Sequence, residues 1–479
     1  MDWMSNHIVA IVVLALYLAW MVELVWMLVL DNRNPVKTMA WMVVLLFLPV
    51  IGVVFYFFFG RSTRKERLIS AKSVDVLTKK SLQGFKDQPE FRLPADHQSL
   101  IHLFHNLNRA LPFEDNAVDV YTDGYSMFGV LMREIARAKR HIHLQSYIFE
   151  DDALGRLMCD LLKDKARQGV EVRVLYDDVG CWDVPNRFFD DMRCAGIEVR
   201  SFLKVRFPLF TSKVNYRNHR KVTVIDGEVG FIGGMNIANR YVKYPGEQRI
   251  LRDTHLRIMG RAVYALQSNF LMDWFFVTRS LLTASKYYPT PRTESLGSSL
   301  VQIVTSAPAG EWQPIMQGLL WAIGNAKRYF FVQTPYFLPT ESVIAAFQTA
   351  ALAGVDVRLM IPEHGDSAIT QLASLSYLGD VLRAGVKVFL YQKGFLHSKL
   401  IVSDDTLSTV GSTNMDFRSF EHNFEINAFV YDPNVAMQLK DVFVRDQRDC
   451  RQLTLKAWTN RLASQRAKES IVRLLSPLL

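Results

Sequence analysis

His219 and Lys221 stand two residues apart in "NHRKVTVID" (218–226), and His397 and Lys399 repeat the spacing in "LHSKLIVSD" (396–404). Each pair opens a run of aliphatic and β-branched residues that reads as a buried strand. Side chains on a strand alternate faces, so each histidine and its lysine share one face. Two cation-capable groups on a core strand are costly unless an anion meets them. Behind each lysine comes an aspartate (Asp226, Asp404), then a glycine (Gly233, Gly411), then an asparagine (Asn236, Asn414). The pattern H-x-K-x4-D-x6-G-x2-N thus occurs twice, 178 residues apart.

These residue types suit phosphoryl chemistry. A neutral imidazole can attack, and an imidazolium can donate a proton. If the two motifs face each other, one phosphate lies between two histidines. One forms a phosphohistidine; the other protonates the leaving oxygen and then deprotonates the incoming hydroxyl. Lys221, Lys399, Asn236 and Asn414 are expected to stabilise charge on the phosphate oxygens. Asp226 and Asp404 belong to the motif but fall on the opposite strand face, by odd offset. They are expected to hold backbone or a turn. No carboxylate or histidine cluster has metal-ligand spacing, so neither a metal nor a cofactor is expected.

The elements that must position these residues are themselves duplicated. "ARAKRHIHLQSYIF" (136–149), "ARQGVEVRVLYDD" (166–178) and "RCAGIEVRSF" (193–202) precede the first motif. "GNAKRYFFVQTPYF" (324–337), "ALAGVDVRLMIPE" (351–363) and "LRAGVKVFLY" (383–391) precede the second. Each copy reads as helix, strand, helix, strand, helix, strand, turn, strand, with Gly169, Gly196, Gly354 and Gly385 closing helices. That alternation predicts a helix-flanked, parallel or mixed sheet. Expected boundaries are a first domain over 116–260, a joining helix and loop over 261–300, and a second domain over 301–440. Residues 441–479 form a basic amphipathic tail, read either as lying on a membrane or as capping the domain. The segment 205–217, longer than its counterpart, mixes aromatics with Arg206, Lys213 and Arg217, and reads as a lipid-contacting or a locally packed loop.

The first sixty residues differ in kind. Residues 8–30 carry one charge, Glu23, and residues 39–59 carry none. Each run is long enough to cross a hydrocarbon core of about 30 Å. A transmembrane hairpin is expected over 1–60, with a basic juxtamembrane linker over 61–115. Arg61, Arg64, Lys65 and Arg67 follow the second run, which places the rest of the chain in the cytoplasm. The net charge of +9 suits anionic lipid, and Glu23 inside a span hints at helix association, hence a possible homo-oligomer. Cys159, Cys181, Cys194 and Cys450 show no zinc or disulfide spacing and read as reduced cytoplasmic residues.

The duplicated motif resembles the signature of the phospholipase D superfamily, over roughly residues 115–440. The stretch 32–62 and the terminal "LLSPLL" (474–479) are similar to the bacterial cardiolipin synthase family. That resemblance implies two pseudo-twofold-related α/β sandwich domains sharing one active site behind a two-helix membrane hairpin. It implies a multi-pass protein of the bacterial inner membrane whose catalytic domains face the cytoplasm. It implies phosphatidyl transfer between two phosphatidylglycerols, without a metal, with His219 as nucleophile and His397 as acid and base. It also implies a carboxylate on the strand after each motif to orient its histidine: Asp253, 34 residues beyond His219, and Glu425, 28 beyond His397. Ser412 follows Gly411, as in the superfamily, and is expected at the phosphate; the first copy has Gly234 there, so altered phosphate contacts are expected. Phosphatidylglycerol and anionic lipids are the expected partners, and nucleic acid is not. One rival reading is a hydrolase of the same superfamily; another is a basic scaffold or nucleic-acid-binding module, against which both complete histidine–lysine pairs argue.

Overall fold

The computed structural model describes residues 93–476 apart from 206–214, 243–249, 290–294 and 309, together with positions scattered between 7 and 56. The N-terminal segment and the remainder are separate compact units. In the first, Pro35–Phe47 is helical, and the rings of Trp41 and Tyr56 meet edge to face, 5.4 Å apart. Among the described residues no helix is long and apolar enough to cross a membrane. The expected span over 8–30 lies largely outside the described residues, whereas that over 39–59 is described at 39–48, 52, 53, 55 and 56; most of the 61–115 linker and of the 205–217 loop lie outside them.

In the second unit the repeat becomes two halves of one sheet. The first half contributes β1 (Pro112–Tyr121), β2 (His141–Ser146), β3 (Glu171–Asp177), β4 (Glu198–Phe202), β5 (Arg217–Asn218), β6 (Val222–Ile225), β7 (Val229–Gly233), β8 (Ile250–Arg252) and β9 (His255–Met259). The second contributes β10 (Ser299–Ser306), β11 (Tyr329–Gln333), β12 (Phe337–Leu338), β13 (Asp356–Pro362), β14 (Lys387–Tyr391), β15 (Gly394–Leu396), β16 (Leu400–Ser403), β17 (Leu407–Gly411), β18 (Met415–Asp416), β19 (Asn423–Tyr431) and β20 (Cys450–Leu453). β1 pairs antiparallel with β10 at the centre. Outward from that seam the order is β1-β9-β7-β6-β2-β3-β4 on one side and β10-β19-β17-β16-β11-β13-β14-β20 on the other. The two halves repeat one topology, with a parallel outer part and an antiparallel inner part, and the second half adds β20 antiparallel to β14 at its edge.

Local chemistry explains the elements. Asp123 caps the Gly124–Arg137 helix through the amide of Ser126, and Asp152 caps Ala153–Arg167 through that of Gly155. Gly169, Gly196, Gly354 and Gly385 all adopt positive φ, the left-handed turn that releases a helix into the next strand. A central core joins both halves: Val222, Ile232 and Leu256 pack with Val301, Leu400 and Ile426. Helices Val263–Thr278 and Pro433–Gln447 flank this seam.

Two expected boundaries move. The sheet begins at Pro112, not at 116. Helix Gln98–Asn108, expected within a linker, buries Leu100, Ile101 and Phe104 in the second half's core beside Leu300 and Leu319. The tail caps the domain: Trp458 is buried against Gly379, and Arg473 meets Asp380 at 2.8 Å.

Candidate active site

Each histidine is held by two short strands that cross between the halves. β5 pairs in parallel with the start of β19, and the His219 amide donates to the Phe424 carbonyl at 3.0 Å. β15 pairs in parallel with β8, and the His397 amide donates to the Arg252 carbonyl at 2.8 Å. The residue after each accepting carbonyl is a carboxylate, so the crossing delivers an acid from the opposite half. His219 Nδ1 lies 3.1 and 3.2 Å from the Glu425 oxygens. His397 Nδ1 lies 2.5 Å from Asp253 Oδ2. Both acids were expected to serve the histidine of their own half; the structure exchanges them. Both are fully buried. With Nδ1 engaged, His219 leaves Nε2 for chemistry, while His397 Nε2 has Lys399 beside it.

Lys221 donates to the His219 carbonyl at 2.6 Å, and Lys399 to that of His397. Lys399 Nζ also sits 2.9 and 3.0 Å from the two ring nitrogens of His397. Burial, then Lys221, pulls His219 down to about 4 against the pull of Glu425. Burial, then Lys399, pulls His397 down to about 3 against Asp253. Burial lowers Lys399 to about 8, and burial with repulsion from Lys399 holds Lys221 well below the ordinary lysine range. Burial works to raise both acids, but the facing cations outweigh it: His219 and Lys221 for Glu425, and Lys399 and His397 for Asp253. Both histidines are held toward the neutral form at pH 7.

His219, His397, Asn236 and Asn414 all line one cavity of about 1010 Å³. Asn236 is fully engaged, accepting from the Ile148 amide and donating to Tyr241. Asn414 gives one amide hydrogen to Asp416 at 3.1 Å, and its oxygen has no partner. Ser412, expected at the phosphate, instead turns its hydroxyl to Glu425. Gly234 takes that place in the first copy because a Cβ there would stand 2.1 Å from Asp253 Oδ1. The shorter acid fills the space that the serine uses beside the longer one. Asp226 and Asp404, grouped with the catalytic motif, lie away from the cavity. Asp226 accepts the amides of Lys139, Arg140 and His141, and Asp404 those of Lys327, Arg328 and Tyr329. They anchor the starts of β2 and β11.

A buried polar layer beneath the site went unrecognised in the sequence. Arg220 forks onto Asp273 at 2.7 Å, and Gln145 donates to the same acid. Arg252 pairs with Asp446 at 2.8 Å, and Gln333 donates to that acid. The signal was present: Gln145 and Gln333 occupy one position of the repeat, and Asp273 interrupts an aromatic helix. Among the described residues no group of three or more His, Cys, Asp or Glu could hold a metal ion.

Comparison with known proteins agrees with this geometry. A family model described as cardiolipin synthase, PLD-like domain, matches residues 131–274 and 319–447. A second, described as phospholipase D-nuclease N-terminal, matches residues 8–61. The cardiolipin synthase of Oceanobacillus iheyensis is 40% identical over 465 residues, covering 94% of this chain and 95% of that protein. This chain belongs to the cardiolipin synthase family. Another family member, the major cardiolipin synthase ClsA of Bacillus subtilis, is 40% identical over 459 residues, with the same coverage of both chains. The solved phosphatidylserine synthase of Haemophilus influenzae Rd KW20 covers 80% of this chain and 100% of its own, with a TM-score of 0.60 at 15% identity; that likeness is one of fold.

Proposed function

We propose that this chain is a phosphatidyltransferase that joins two phosphatidylglycerols into cardiolipin and releases glycerol. The observation that carries the reading is the pair of buried histidines, each backed by an acid from the opposite half, lining one cavity with two buried lysines behind them. A phosphodiester brings negative charge beside the lysines, and its arrival favours imidazolium at His397. His219 Nε2 attacks phosphorus, and the bond from phosphorus to the headgroup oxygen breaks. His397 gives its proton to that oxygen, and glycerol leaves. A headgroup hydroxyl of a second phosphatidylglycerol then returns a proton to His397. Its oxygen attacks phosphorus, and the bond to His219 breaks. Glu425 and Asp253 hold the ring tautomers throughout, and Lys221 and Lys399 stabilise charge on the phosphate oxygens. The near full-length identity to proteins named cardiolipin synthase supports lipid as the substrate. Residues 8–30 and 39–59 form a hairpin in the inner membrane, and the catalytic halves face the cytoplasm. The test is incubation of purified protein with phosphatidylglycerol in mixed micelles, followed by lipid mass spectrometry. Cardiolipin with free glycerol is expected; phosphatidic acid alone would make the protein a hydrolase.

A further inference from the structure

The cavity is less symmetric than the fold that builds it. Ile148 of the first half lines it where the second half presents Tyr336, at the same position of the repeat. Asp416 lines it two residues after Asn414, whereas Ala238 holds the matching place after Asn236. One wall therefore carries polar groups that its counterpart lacks.

Those groups are hydrogen-bond acceptors. Asn414 and Asp416 are 5% and 6% exposed. Asp416 accepts one Asn414 amide hydrogen, which fixes the orientation of that amide and leaves its oxygen without a partner. A buried acceptor without a donor is costly, and one that lines a cavity asks for a ligand that donates. Tyr336 is tied by its hydroxyl to the Asp366 carboxylate, a further acceptor on the cavity wall. Phosphate brings acceptors of its own and cannot donate to these groups. An ammonium group is disfavoured by Arg217, Arg240, Lys393 and Arg418, which also line the cavity.

We infer that Asn414, Asp416 and the Tyr336–Asp366 pair form a subsite for a polyol headgroup, holding the hydroxyls of a glycerol beside His397. This deepens the proposed transfer reaction and rests on it: the subsite would seat the departing glycerol and then the acceptor lipid's headgroup next to the proton carrier.

The test uses the full chain and the variants Asp416→Ser and Tyr336→Phe. Serine keeps a cap for the short Phe417–Glu421 helix, so that variant removes the carboxylate without removing the cap. Cardiolipin and phosphatidic acid are quantified from phosphatidylglycerol micelles while free glycerol is titrated. The ratio of transfer to hydrolysis is expected to fall at least roughly tenfold in Asp416→Ser, the loss of about one hydrogen bond to a charged group. The glycerol needed to halve cardiolipin formation is expected to rise by a similar factor. An unchanged ratio with unchanged glycerol sensitivity, or a parallel loss of both products, would overturn the subsite. Ethanolamine competing as well as glycerol would overturn the polyol assignment in favour of an ammonium group. A binding readout stands apart from turnover: saturation-transfer NMR with glycerol as the probe is expected to give a signal with wild type that weakens in both variants. Equal signals would overturn the subsite, whereas a wild type that binds glycerol but makes no cardiolipin would overturn only the transfer reading.

Discussion

At the scale of single residues, the site is an arrangement of charge awaiting an anion. Four groups capable of positive charge face two buried acids, and the two histidines give up their protons first. With His219 near 4 and His397 near 3, an anion entering at pH 7 is expected to raise at least one of them. Binding of inorganic phosphate is therefore expected to take up about one proton, since opposite charge stabilises the imidazolium. Calorimetry in buffers of different ionisation enthalpy measures this, and zero uptake or release would contradict it. The same shifts fix the sign of the stability profile. Both folded values lie below the unfolded 6.5, so the unfolded chain binds protons first, and these histidines' contribution is whole above pH 6.5 and is lost as pH falls toward 3. The acids carry a second prediction. Glu425→Gln and Asp253→Asn are each expected to lower kcat by about 10²- to 10⁴-fold, the range for a group that sets a catalytic proton. Full activity in either variant would remove the orienting role. The histidines, lysines and asparagines could be placed from the sequence because a strand–turn–strand unit fixes their spacing. The partnering of the acids could not, because it depends on contacts 206 and 144 residues apart across a symmetry that one-dimensional order does not record.

At the scale of elements, the short crossings matter more than the long strands. β5 and β8 are only two and three residues long, yet each registers a histidine of one half against an acid of the other. Helix and strand order was readable because glycines and Val-rich runs mark each element. The seam strands β1 and β10 and helix Gln98–Asn108 were not, since they lie outside the repeated segments and their partners are distant in the chain. The Gly234 position gives the sharpest element-scale prediction. Sequence comparison between the copies suggests that serine there would restore a missing phosphate contact. The structure predicts the reverse, because Asp253 occupies that space. Gly234→Ser is expected to displace Asp253 from His397 and cut activity at least tenfold, on the scale of a misplaced catalytic group. Activity equal to or above wild type would show that the strand ends adjust freely. Beneath these ends, Arg252 of the first half pairs with Asp446 of the second in a nearly dry setting. Arg252→Leu leaves that acid with Gln333 alone, and a loss of about 3–5 kcal/mol is expected in chemical denaturation. A loss under about 1 kcal/mol, as for an exposed pair, would place the halves' adhesion elsewhere.

At the scale of the molecule, neither half owns a complete site. His219 meets Glu425 and His397 meets Asp253 only across the halves, so register between the halves sets both pairs. Three features hold them: the β1–β10 seam, the shared core of Val222, Ile232, Val301 and Leu400, and the Arg252–Asp446 pair. Each chain thus completes its site from its own two halves, whatever assembly the chain adopts. This separates two kinds of oligomer. If chains associate only through other surfaces, His219→Ala protein mixed with His397→Ala protein stays inactive, because every site keeps one missing histidine. If halves exchange between chains, some sites regain both histidines, and activity returns on mixing. The continuous sheet predicts the first outcome, since exchange would require breaking the β1–β10 pairing and exposing the seam core to water. Mixing the two purified variants in shared micelles and assaying cardiolipin over hours decides it. Recovered activity would mean that the seam opens on the timescale of the assay, and that the two halves are held together less firmly than their packing implies.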